Sequence, residues 1–70
     1  MTARHKAGQE RFDQEIHQLI SLAGEAESTG NFGLAVRYYR HALELIELSG
    51  AASDLRSAVE NALLSAQARA

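Results

Sequence analysis

The sequence predicts an all-α protein. The expected architecture is a three-helix antiparallel bundle, a helix-turn-helix followed by a C-terminal packing helix. Three observations carry this. Apolar residues recur at steps of three and four in three successive stretches. No Pro interrupts those stretches, and their seams are rich in Ala. Two glycine-containing turns, Thr29-Gly30-Asn31 and Ser49-Gly50, separate them. At 70 residues the chain has room for one small domain.

Residues 1–8 hold no apolar segment. They are neither a secretory signal nor a membrane span. The expectation is a flexible arm over 1–8 ahead of a single three-helix domain over 9–70. Arg4, His5 and Lys6 make the arm basic. A solvated chain end is the first reading of it, and a phosphate-contacting arm the second.

The first helix is expected over residues 9–28. Phe12, Ile16, Leu19, Ala23 and Ala26 share one stripe, flanked by Ile20 and Leu22. Glu10, Asp13, Gln14, His17, Ser21 and Glu25 form the polar face. Gly24 falls away from the stripe, where a glycine is merely tolerated.

Gly30 can adopt the left-handed conformation that ends this helix. Asn31 can cap the next one with its side-chain oxygen. In the second helix Phe32, Ala35, Tyr39, Ala42 and Ile46 line one face. Leu34, Tyr38, Leu45 and Leu48 form a second stripe, with His41 expected half-buried beside it. Only Gly33, Arg37, Arg40, Glu44 and Glu47 are left as a narrow polar face. A helix apolar over so wide an arc needs cover from two sides. It is therefore the expected centre of the fold, with the first helix on the Phe32 side and the third on the second stripe.

The third helix is expected from Ala52 or Ser53 to Gln67, with Ser53 as a candidate N-cap and Asp54 facing the positive helix end. Ala52, Leu55, Val59, Ala62, Leu63 and Ala66 form its small-residue seam. The core should thus comprise Phe12, Ile16, Leu19, Ala23, Phe32, Ala35, Tyr39, Ala42, Ile46, Leu55, Val59 and Leu63.

Residues 16–49 resemble a single tetratricopeptide repeat, a helix-turn-helix of about 34 residues. Leu22 stands at the family's leucine, Ala23 at its small position and Phe32 at the aromatic after the turn. Ala35, Tyr39 and Ala42 match the alanine–aromatic–alanine series of its second helix. Leu19 stands for a bulky aromatic, Ala26 for a common Tyr, and Glu47 for the terminal Pro. With the third helix added, the chain is also similar to the microtubule-interacting-and-transport domains. The latter resemblance implies an interaction domain that receives helical segments of partners in grooves between its own helices.

The chemistry-bearing residues point the same way. There is no Cys, hence no disulfide framework and no thiol chemistry. His5, His17 and His41 lack metal-ligand spacing, and no nucleophile elbow, P-loop or dinucleotide fingerprint is present. Glu25 and Glu27 cannot face each other on one helix. No catalytic, cofactor or metal residue is assigned, and the chain is read as not an enzyme. A formal net charge of −2 gives no general case for nucleic acid or an acidic membrane surface. Cytoplasm is the expected compartment, and membrane insertion is not expected.

Three functions are open on these residues. The first is a protein-interaction module that takes a partner helix or peptide in an interhelical groove, using Leu34, Tyr38, His41 and Leu48. The second is a self-associating assembly subunit, a homo-oligomer, because a lone repeat cannot bury its own apolar face. The third is a small nucleic-acid-binding regulator using Arg4, Lys6 and Arg11.

Overall fold

Three helices follow in order: α1 (Thr2–Ser28), α2 (Phe32–Ser49) and α3 (Ser53–Arg69). The computed structural model describes residues 2–50 and 53–70, with side chains over 12–50 and 54–70. Among these no strand occurs, so the all-α three-helix class holds. No helix among the described residues is long and apolar enough to cross a membrane.

α1 begins at Thr2, ahead of the expected start at Gln9. Residues 2–8 therefore continue the helix backbone, where a separate arm was expected. Ala3, Arg4, Lys6 and Ala7 are good helix formers, set against the weaker Thr2 and His5 and the unfavourable Gly8. The side chains of Arg4, Lys6 and Arg11 lie outside the described residues.

The α1–α2 turn satisfies two helix ends at once. Gly30 takes φ +81°, a left-handed conformation. Its N–H donates to the Glu27 carbonyl at 3.0 Å, and the Asn31 N–H donates to the Ala26 carbonyl at 2.8 Å. This pair of bonds is the Schellman motif. The Asn31 side chain then accepts the Leu34 N–H at 3.3 Å, capping α2. One residue closes the first helix and opens the second, which holds the turn short and the hairpin antiparallel. α2 ends on Gly50, left-handed at φ 69°, whose N–H reaches the Ile46 carbonyl. Ser53 is the first helical residue of α3, where it was expected as the N-cap; the cap position and seam residue Ala52, and the Ser53 side chain, lie outside the described residues.

α2 is the shared middle of the fold, packed against α1 on one side and α3 on the other. The buried core is Ile16, Ala23 and Ala26 from α1, Ala35, Tyr39, Ala42, Leu45 and Ile46 from α2, and Val59 and Ala66 from α3. Phe12, Leu19, Leu55 and Leu63 pack against it half-buried. The alanines let backbones approach, and Ile16 and Ile46 are the largest side chains wholly inside. The radius of gyration is 12.8 Å. A compact chain of this length would give about 11 Å. α1 is longer than α2 by half its partner's length, which draws the molecule out.

Two packing expectations are corrected. Phe32 is half-buried and stands outside the core cluster, its ring covered by the Arg69 guanidinium at 5.6 Å. It sits at the first position of α2, where the hairpin neighbour has already turned away. The cover of α2 is also assigned differently. α3 touches the Phe32 side, through Arg69 on Phe32 and Arg56 on Glu47. α1 keeps the rest of that face, where Tyr39 bonds Glu27, and also borders the second stripe at His41. Leu45 on that stripe is buried.

Overpacking and backbone conformation test this arrangement. Ala42 is fully buried, so Ala42→Leu should destabilise by about 1–3 kcal/mol in chemical denaturation. A Cβ at Gly24 meets nothing within 4 Å, so Gly24→Ala should stabilise by about 1 kcal/mol. A Cβ at Gly30 also meets open space, yet its positive φ makes Gly30→Ala cost about 1–2 kcal/mol. Denaturant midpoints moving in opposite directions for the two glycines would confirm that conformation, not crowding, separates them.

Candidate interaction groove

The second stripe of α2 does not act as one surface. Leu34 and Tyr38 are half-buried against the core, and Leu45 is inside it. His41 is exposed, where a half-buried packing role was expected. Leu48 is 75% exposed at the far end of the helix. Leu34 and Leu48 are separated by about 21 Å at 1.5 Å per residue. The four predicted partner-binding residues are thus spread along α2 and not gathered.

His41 does line a groove with residues of α1. The groove is about 320 Å³ and is bounded by Glu15, Gln18, Leu19, Leu22 and His41. Leu19 also packs against the core, so it forms the inner wall. Glu15, Gln18 and Leu22 follow one another at steps of three and four, along one edge of α1. The antiparallel hairpin brings this edge beside His41. Leu34 lines a separate hollow of about 370 Å³ with Asn31, Gly33 and Arg37, at the start of α2. Tyr38 and Leu48 border neither.

Glu15 and Gln18 were given no role in the reading of the sequence. The signal that could have found them is the Glu15–Gln18–Leu22 row at the margin of the apolar stripe. A margin becomes a groove wall only when a neighbouring helix is placed next to it.

The shortest side-chain hydrogen bond among the described residues lies elsewhere on the hairpin. The Tyr39 hydroxyl donates to Glu27 Oε1 at 2.9 Å. Tyr39 is buried, with 6% of its surface exposed. Burial, then the hydrogen bond to Glu27 and its negative charge, push the phenol up to about 12. This pair ties α1 to α2 near the turn. Among the described residues no three His, Asp or Glu side chains gather in a metal-binding arrangement. Every buried side-chain polar atom described has a hydrogen-bond partner.

The phenol's behaviour is measurable. Its pKa is raised on folding above the ordinary 10.0, so its stabilising contribution is full below pH 10 and disappears as pH rises toward 12. Absorbance at 295 nm should show a late tyrosinate step that Tyr39→Phe removes. At neutral pH, Tyr39→Phe should cost about 1 kcal/mol, the net value of one hydrogen bond. The variant should also lose less stability than the parent between pH 10 and 12.

Comparison of the chain with protein-family models, with curated proteins and with solved structures found no match.

Proposed function

We propose that the protein is a non-catalytic interaction module that accepts a partner helix or peptide in the α1–α2 groove. The supporting observation is the make-up of that groove. Leu19 and Leu22 supply an apolar floor, and Glu15, Gln18 and His41 supply a polar rim. An apolar centre within a polar rim is the anatomy of protein–protein contacts. A floor made by two side chains three residues apart suits apolar anchors one helical turn apart on a partner. The rim groups would fix the orientation of that partner. The tetratricopeptide-like series at Ala35, Tyr39 and Ala42 points to the same class of function. Action in the cytoplasm belongs to this reading, since the chain has no cysteine that would call for an oxidising compartment.

A second reading is favoured by one observation. Leu48 is 75% exposed on the same helix, an apolar side chain that a second copy could cover. The chain would then be an assembly subunit.

Affinity capture with the parent chain and with Leu22→Asp separates these functions. Leu22→Asp should weaken binding of the captured partner by about tenfold or more, as for a central interface residue. Chemical-shift mapping with that partner should perturb Leu19, Leu22 and His41. Shifts confined to residues outside the groove would overturn the assignment. Sedimentation equilibrium addresses the second reading. A dimer that Leu48→Ser dissociates would favour assembly, and a monomer for both chains would exclude it.

A further inference from the structure

The hairpin and the third helix are held by unequal means. Among the described residues, α1 and α2 supply eight of the ten buried apolar side chains. Their turn carries reciprocal backbone bonds and a side-chain cap, and Tyr39 hydrogen-bonds across to Glu27. Among its described residues α3 contributes Val59 and Ala66 to the buried core, with Leu55, Ala62 and Leu63 half-buried. Small seam residues remove little apolar area from water, and the stabilisation scales with that area. Its described polar ties are weak. Arg56 approaches Glu47 at 3.5 Å, with both side chains more than half exposed. Arg69 lies 5.6 Å from the Phe32 ring centre. Among the described residues α1 and α3 share almost no contact, so α2 is the main neighbour of α3 there.

Those two ties also locate α3. Phe32, Val36, Leu43 and Glu47 recur at steps of four and seven, which places them in one row along α2. Arg69 sits at one end of the row and Arg56 at the other. α3 therefore runs antiparallel along this row, with Val36 and Leu43 between the two ties. Both are half-buried and packed against the core.

We propose that α3 opens as a unit from an α1–α2 hairpin that stays folded, and that its opening bares the Phe32–Val36–Leu43 row. The closed and open chains then present different apolar surfaces on α2. A helix of 17 residues freed from its neighbour is marginal in water, so α3 melts as it detaches. Such sub-global openings occur where buried contacts are fewest. This inference is independent of the α1–α2 groove, which lies on the opposite flank of α2.

Native-state hydrogen exchange on the full chain tests it. Amides of residues 59–66 should be protected about tenfold or more below those of residues 35–46. Their opening should also depend less on denaturant, because less surface is exposed. Val59→Ala removes two buried carbons and should speed exchange in α3 by about tenfold, leaving α2 amides within about twofold. Ile16→Val should do the reverse, speeding α1 and α2 amides and sparing α3. Equal protection in all three helices, or Val59→Ala speeding all of them alike, would overturn the proposal. So would loss of the whole fold in Val59→Ala, since the hairpin would then depend on α3. Arg69→Ala gives a milder second variant, with the same confined effect expected.

Discussion

The close approach of α1 and α2 is the constraint on which the rest depends. Ala23 and Ala26 on one helix, and Ala35 and Ala42 on the other, are all buried and leave little between the backbones. Such a seam gains its stability from contact density, because each alanine removes little area from water. Tyr39 supplies the bulk that the alanines lack, and its hydroxyl reaches the one partner that its burial requires, Glu27. An interface of this kind tolerates no insertion and little displacement. It therefore fixes where Gly30 and Asn31 turn the chain, and at what height His41 meets Leu19 and Leu22.

The width of the apolar arc on α2 decides the remainder. α1 covers the arc from Leu45 to Ala35 and leaves a flank at Phe32, Val36 and Leu43. α3 covers that flank with a narrower and smaller seam. The result is a layered molecule in which one helix is shared by two neighbours that hardly meet. A closed bundle would bury each helix against two others. Here the outer helices each keep a wide solvent face, consistent with the mostly polar outer positions of α3 and with Leu64 standing 63% exposed on it.

The layered arrangement also explains how a groove arises in so small a chain. Two antiparallel helices with alanines at their contact diverge at the margins, where side chains are larger. Glu15, Gln18 and Leu22 stand at one such margin, and His41 faces them from α2. The opposite margin is occupied by α3. One flank of the central helix thus stays open to another molecule, and the other is filled from within the chain.

Helix identity, the left-handed Gly30, the Asn31 cap and the central place of α2 were legible in the sequence, because each is local or follows from periodicity along one helix. So were eleven of the twelve expected core residues, which lie in the buried cluster or pack against it, with Phe32 the exception. The flank each neighbour takes was not legible. Two apolar stripes on one helix look alike in a pattern, and which is covered by α1 depends on how the turn rotates the hairpin. The gathering of the site was hidden for the same reason. Leu34, Tyr38, His41 and Leu48 share a stripe in sequence, yet burial differs along it with the length and placement of α1. The sequence by itself determined that three helices form, where two of them turn, and which residues face inward, because backbone conformation and helical periodicity are properties of neighbouring residues. Only the tertiary structure decided that Glu27 pairs with Tyr39, that Arg69 covers Phe32, and that Glu15, Gln18 and Leu22 line one groove with His41. Those contacts join residues distant in sequence, and the relative rotation of packed helices is what brings them together.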